Sequence, residues 1–358
     1  MRRRATCSPR RTARDRLTAT TPTGPRFEAF LDTVLPAGGA ARVTRIGDGA
    51  SNLTYLVERA GARAVVRRPP PPPLPPSAHD VVREARLQLA LHDRGVRVPR
   101  VLAVCEDPAV AGAPFYVMEE IGGSIVTDAL PAALSGEAVR RGLGFALVDA
   151  LAELHAVDWR TGPLGAFGRA DDYLERQIRR FSALQASAEG RPLPGFEALT
   201  DDLRRAIPDT DGTTVVHGDY RLGNVMVGAG PQPDVAAILD WEMATLGDPL
   251  ADLGYLTVTW SDPDVDPHPM LLSPATAVPG FPSRADLVRH YAARTGRDVS
   301  RLGWYQALAL WKSAVFCEAI HTRFRRGERG ERGDRWAASL GAGVPRLIEA
   351  ATACLAQA

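Results

Sequence analysis

The eight residues HGDYRLGN (217–224) follow the apolar run TTVV (213–216) and precede VMV (225–227). β-Branched runs on both sides read as short strands, so the loop between them carries His217, Asp219, Arg221 and Asn224. Polar groups packed that densely between two strands make either a tight turn or a site. A third apolar run, VAAILD (235–240), ends on Asp240. A carboxylate, an amide and a second carboxylate, each beside a strand, supply hard oxygens of the kind Mg²⁺ takes, with coordination positions left for phosphate and water.

The rest of the chain gives that loop a frame. ARVTRIG (41–47), LTYLVERA (53–60) and ARAVVRR (62–68) alternate in strand fashion, with the loop GDGASN (47–52) between the first two. A proline run, PPPPPLPP (69–76), is an extended connector, since proline neither donates to a ladder nor sits inside a helix. A helix follows over 78–95, with Ser77 and Asp80 at capping-box-like spacing, apolar positions Val81, Val82, Ala85, Leu89 and Leu91, and a stop at Gly95. VPRVLAVCED (98–107) and APFYVMEEI (113–121) read as two more strands. Residues 42–119 are therefore β-β-β-α-β-β. After Gly122-Gly123 the pattern turns helical, with helices expected over 136–158, 170–187, 196–206, 249–259, 284–295, 302–325 and 334–356. No internal repeat interrupts this order. The domain reading is a disordered extension over 1–25, an N-terminal lobe over 26–120 and a C-terminal lobe over 121–358.

Asp followed five residues later by Asn is the spacing of the kinase catalytic loop. VVHGDYRLGNVMV (215–227) together with AILDWEMATLGDPLADL (237–253) resembles the aminoglycoside phosphotransferase family of protein-kinase-like small-molecule kinases. More narrowly, it is similar to the branch whose domain is fused in some proteins to acyl-CoA dehydrogenases. The resemblance covers about residues 27–340. It implies an α+β, two-lobed protein-kinase-like fold, with a small β-rich N-lobe carrying one main helix and a larger, mostly helical C-lobe.

The same resemblance implies roles. Asp219 resembles the catalytic base, and Asn224 and Asp240 the Mg²⁺ ligands, with DWE where protein kinases have DFG. Arg221 stands where a cation steadies the transferred charge, His217 orients the loop, and Asp248 and Asp252 brace it, with contact to substrate the alternative for Asp248. In the N-lobe, Gly47, Gly49, Ser51 and Asn52 belong to a turn whose backbone can approach ATP phosphates. Arg67 occupies the place of the family's strand lysine, keeping the charge but forking differently. Glu84 resembles its helix partner. Glu119 and Ile121, in EEIGG (119–123), resemble the hinge that holds adenine.

Composition narrows the alternatives. Apolar residues make up 45% of 358 and the net charge is +1, which favours neither nucleic acid nor an acidic membrane surface as a partner. Lys312 is the only lysine. Cys7, Cys105, Cys317 and Cys354 form no metal or disulfide spacing, which fits a reducing cytoplasm. No apolar run approaches the ~20 residues of a membrane span.

His155 ends an apolar helix and reads as packed. Trp304, Tyr305, Trp311 and Phe316 recur at helical spacing and read as core. Trp260, His290 and Lys312 are candidates for a substrate cleft. RFRRGERGERGDR (323–335) mixes charges and reads as a solvated turn. Residues 246–358 hold 12 acidic and 13 basic side chains, which is no overall carboxylate excess for a polycationic aminoglycoside and leaves the alternative of an aminoglycoside phosphotransferase to a local pocket. A neutral alcohol or an anionic one such as a hydroxyacyl-CoA fits at least as well. Two function classes stand: an ATP/Mg²⁺-dependent O-phosphotransferase acting on a small hydroxylated molecule, and a catalytically silent kinase fold that binds nucleotide or a partner. The presence of Asp219, Asn224 and Asp240 together favours the enzyme.

Overall fold

The computed structural model describes residues 21–47, 52–71, 79–188, 190–210, 212–230, 234–263, 265–327 and 334–358. Gly49, Ser51, Ser77, the extension before residue 21 and part of the proline run lie outside the described residues. The chain divides into two compact units. One takes in the chain up to Leu89 with Pro99–Glu120; the other comprises Ala90–Val98 and Ile121–Ala358.

The first unit is built on an antiparallel sheet of β1 (Arg42–Ile46), β2 (Leu53–Arg59), β3 (Ala62–Arg68), β4 (Val101–Cys105) and β5 (Phe115–Glu119), in the order β1-β2-β3-β5-β4. Side chains alternate across a strand, so β3 sends Ala64 and Val66 to one face and Val65 and Arg67 to the other. Helix α1 (Pro25–Leu31) covers the first face, where Phe27 and Leu31 pack with Tyr55, Val57, Val66, Phe115 and Val117. Sequence reading missed this helix; a seven-residue segment has too little period to announce itself and is held by the sheet. Arg59, also buried, ties it down through an ion pair to Asp32 at 2.6 Å.

Helix α2 (Val81–His92) covers the second face, where Val81 and Ala85 meet Val65, Tyr116 and Met118. Asp80 caps it, accepting the Arg83 amide at 2.9 Å. Leu89, expected on the apolar face, is 38% exposed, and Leu87 is buried in its place. The short α3 (Pro108–Ala111) joins β4 to β5.

The second unit is mostly helical: α4 (Glu137–His155), α5 (Tyr173–Ser187), α6 (Phe196–Arg205), α7 (Leu250–Thr259), α8 (Arg284–Thr295), α9 (Leu302–Arg325) and α10 (Asp334–Leu355). Trp304, Tyr305 and Trp311 are core, as their spacing implies, but Phe316 is 44% exposed. It falls at the flank of the α9 apolar stripe, where periodicity alone does not separate core from surface. Trp260 is also core, fully buried with its indole N–H on the Pro282 carbonyl, so it does not line a cleft.

Two small antiparallel pairs carry the loops that matter: β6 (Thr214–Val216) with β9 (Thr245–Gly247), and β7 (Val225–Val227) with β8 (Val235–Ile238). The expected third strand thus stops at Ile238, and Asp240 lies beyond it in a turn. Among the described residues, Cys105, Cys317 and Cys354 are free thiols. No helix among them is long and apolar enough to cross a membrane.

Candidate active site

The 217–224 loop leaves β6 and enters β7 through a single turn of 3-10 helix at Leu222–Asn224. Gly218 makes the first bend at φ 83°; a Cβ there would also fall 2.9 Å from the Met243 carbonyl oxygen. His217 is fully buried and joins two segments. Its Nδ1 accepts the Asp219 amide at 3.2 Å and its Nε2 donates to the Leu239 carbonyl at 2.8 Å, which fixes the hydrogen on Nε2. Its ring lies 4.8 Å from that of Trp241, fully buried in the turn after Asp240. Thus the loop bearing Asp219 and the turn bearing Asp240 are keyed through one imidazole.

Asn224 sets Asp219. Its amide nitrogen donates to the Asp219 carbonyl at 2.8 Å and to Asp219 Oδ2 at 2.7 Å. The other carboxylate oxygen, Oδ1, is buried without a hydrogen-bond partner, and Arg221 Nε stands 3.6 Å from it in a loose ion pair. With its nitrogen committed, Asn224 has its amide oxygen to offer elsewhere. Its backbone carbonyl accepts the Leu239 amide at 2.8 Å, which brings Asp240 to the next position along the ladder. Asp240 itself is left-handed, at φ 65° and ψ 67°, a conformation costly for a residue with a side chain.

Beneath the loop sits Asp252, on the first turn of α7 and completely buried. It accepts the His217 amide at 2.6 Å, the Gly218 amide at 2.8 Å and His155 Nε2 at 3.3 Å, while the Tyr291 hydroxyl holds His155 Nδ1 at 2.7 Å. Burial alone would push this carboxyl up; the hydrogen bond and charge of His155, with His217 and the loop amide, outweigh it and leave it below its ordinary value. Asp248 is also a brace: it is buried and accepts the Leu250 amide and the Tyr305 hydroxyl. His290 pairs with Asp149 at 2.9 Å.

Tyr255, three residues after Asp252 on α7, was not singled out by sequence reading. Burial and then the neighbouring Asp219 charge push its phenol well above the ordinary range, so it stays protonated beside the carboxylate. Its only sequence signal is the i, i+3 spacing from Asp252, which puts both on one helix face.

In the first unit, Arg67 meets Glu84 because period two turns it toward α2. Its Nε lies 3.0 Å from Glu84 Oε1 and 3.1 Å from Oε2, and Glu84 is 1% exposed. Asn52 donates to Glu84 Oε2 at 3.2 Å, so these residues form one buried cluster. Gly47 is left-handed at φ 71°. Glu119 accepts the Arg100 amide at 2.8 Å. Ile121 opens the irregular segment after β5 and is half-buried.

These elements define a protein-kinase-like phosphotransferase fold, and comparison with known proteins agrees. A family model described as the phosphotransferase enzyme family matches residues 42–287, and the chain belongs to that family. It is 33% identical over 294 residues to acyl-CoA dehydrogenase family member 10 of Mus musculus, covering 81% of this chain and 27% of that protein. Against family member 11 of Rattus norvegicus it is 31% identical over 310 residues, covering 84% of this chain and 39% of the relative. The chain thus spans well under half the length of these curated relatives. A solved structure from Ralstonia eutropha, assigned to the aminoglycoside phosphotransferases, superposes with a TM-score of 0.77 at 29% identity, covering 92% of this chain and 97% of the other. A phosphotransferase solved with GDP and kanamycin shares the fold at TM-score 0.59 and 20% identity, covering 91% of this chain and 98% of that one.

Proposed function

We propose that this chain transfers the γ-phosphoryl group of ATP to a hydroxyl group of a small molecule, with Asp219 receiving the hydroxyl proton. The observation that carries this reading is the state of the Asp219 carboxylate. Asn224 clamps one oxygen and leaves the other buried, without a hydrogen-bond partner. A base in phosphoryl transfer needs one oxygen held in place and one left uncommitted, because its main task is to position the nucleophile and take its proton late. Arg221, whose Nε also lacks a hydrogen-bond partner, would steady the charge on the transferring group.

Mg²⁺ fits the donor set. Among the described residues no cluster of three His, Cys, Asp or Glu makes a protein cage. The Asn224 amide oxygen and the Asp240 carboxylate supply two hard donors, and Mg²⁺ takes its remaining ligands from phosphate and water. When bound, the ion neutralises charge on the nucleotide phosphates. Resemblance to the family assigns Gly47, Gly49, Ser51, Asn52, Arg67 and Glu84 to nucleotide phosphates, and Glu119 and Ile121 to the base.

For the acceptor, likeness to acyl-CoA dehydrogenase family members 10 and 11 and the balanced charge of residues 246–358 favour a hydroxyacyl-CoA over an aminoglycoside. The test is a phosphorylation screen of the purified chain over hydroxyacyl-CoAs, aminoglycosides, choline and sugars. It runs beside calorimetric titration of ATP with Mg²⁺ and with excess chelator. A phosphorylated product that is absent in Asp219→Asn is expected. ATP binding that ignores both the chelator and Asp240→Ala would refute the metal assignment. Binding without transfer to any acceptor would favour the catalytically silent reading.

A further inference from the structure

Lys312 is the only lysine among 43 basic residues. A chain that uses arginine everywhere else has kept an ammonium at one position, where a compact point charge and a planar fork are not equivalent. That position is in the middle of α9, between the buried Trp311 and the buried Ser313. The Lys312 Nζ stands 4.9 Å over the ring of Phe181, and the Arg180 guanidinium lies 6.0 Å from the same ring. Phe181 is fully buried, and its ring meets Phe316 edge-on at 5.1 Å. Two cations therefore flank one aromatic ring. No carboxylate pairs with either among the described residues.

The direction in which this pair faces follows from helix packing. Helix α9 lies against α7 so closely that a Cβ on Gly254 would come 2.9 Å from the Tyr305 backbone. Tyr305 reaches Asp248, and Gln306 donates to Thr257 at 3.0 Å. Lys312 is two helical turns beyond Tyr305 and on the same face, toward the helix that carries Asp252 and Tyr255. The electrostatics agree. Burial and the Arg180 charge bring the Lys312 ammonium down to about 8, and the groups that pull against them are Asp252 and Asp219.

We propose that Lys312 and Arg180 form an anion subsite on the acceptor side of Asp219, which binds a carboxylate or phosphate carried by the hydroxylated acceptor and rejects cationic acceptors. This deepens the phosphotransferase reading and rests on it. A half-buried ammonium beside a like charge is costly to fold around, and an anion relieves both the repulsion and the desolvation. The fully buried Phe181 ring gives that contact a low-dielectric floor on one side, while Arg180 is exposed to solvent.

The single lysine makes the test clean. Reductive methylation with ¹³C-formaldehyde keeps the charge and labels only Lys312 and the terminal amine, and each gives its own NMR resonance. The labelled chain is titrated with 3-hydroxybutyrate, its methyl ester, glycerol 3-phosphate and glycerol. The Lys312 resonance is expected to shift saturably with at least one of the two anions, which tells carboxylate from phosphate, and with neither neutral partner; the terminal amine serves as control. Arg180→Gln should weaken that binding about tenfold, the scale of one charge-assisted contact. Calorimetry on wild type and Lys312→Met gives the same answer without labelling. A Lys312 resonance indifferent to both anions, or equal anion affinity in Lys312→Met, overturns the proposal. The two readings fail separately. Anion binding at Lys312 with no transfer to any hydroxyl would count against the phosphotransferase alone. Transfer to a neutral or cationic acceptor that is unchanged in Lys312→Met would count against the subsite alone.

Discussion

An arginine–carboxylate pair stands in each unit, and the two are made differently. In the sheet unit, Arg67 Nε reaches both oxygens of Glu84, at 3.0 and 3.1 Å, and Glu84 is 1% exposed. In the helical unit, Arg221 Nε stops 3.6 Å from Asp219 Oδ1, with side chains 22% and 27% exposed. The first pair is close and buried, so loss of one partner strands the other in the interior. The second is held apart, and its carboxylate keeps an oxygen in reserve. The presence of opposite charges is thus a poor guide to role; how close and how buried the pair is separates the two.

The comparison breaks first at Asp219. Asp219→Asn keeps size and the Asn224 neighbourhood but removes the proton acceptor. Turnover should fall about 10²–10⁴-fold with ATP affinity nearly intact, as steady-state kinetics and calorimetry will read. Near-normal turnover would reduce the loop to a capped turn. The buried pair should answer in the opposite currency. Glu84→Ala leaves Arg67 buried without its acid and should cost about 3–5 kcal/mol in urea unfolding. A loss confined to ATP binding, with stability unchanged, would remove the distinction drawn here.

A third cation sharpens it. Lys312 has no ion-paired acid among the described residues, and burial brings its pKa to about 8, below the ordinary value of 10.5. The unfolded chain therefore holds this proton more tightly than the folded one. The penalty is fully present below pH 8 and fades as pH rises toward 10.5. Lys312→Met should stabilise the protein by about 1–3 kcal/mol at pH 7, after discounting for partial exposure, and the gain should vanish above about pH 10. A gain independent of pH would mean that packing, not charge, sets it. The smallest effect is expected at Arg67→Lys, which keeps the charge and loses the fork, for about 1 kcal/mol. Arg67→Ala should raise the ATP KM more than Arg67→Lys does; equal and negligible effects would assign the phosphates to another cation.

Much of this was legible in the sequence because the signals are local. Alternation fixed β1 to β5, 3.6-residue periods fixed the long helices, and the Asp219–Asn224–Asp240 spacing survives as a set of adjoining turns. What was not legible depends on partners remote in the chain. Helix α1 exists because a sheet face needs cover, and β9 is three residues that become a strand only beside β6. His155 reads as one more packed histidine, since Asp252 lies 97 residues away and Tyr291 136. The exposure of Phe316 and the nearness of Tyr255 to Asp219 likewise follow from how α5, α7 and α9 meet.

The Asp252 brace has a consequence in time as well as in space. The amide hydrogens of His217 and Gly218 point into a carboxylate whose remaining partner, His155, is fixed from α4 and α8. Functional loops usually exchange their hydrogens by small local openings. Here neither amide meets water until α7 leaves its place, so both should exchange at the pace of the helical core. A chain with α7 undocked has no half-set loop: the geometry at Asp219 arrives in the same cooperative step that completes the unit, and is lost in the same step.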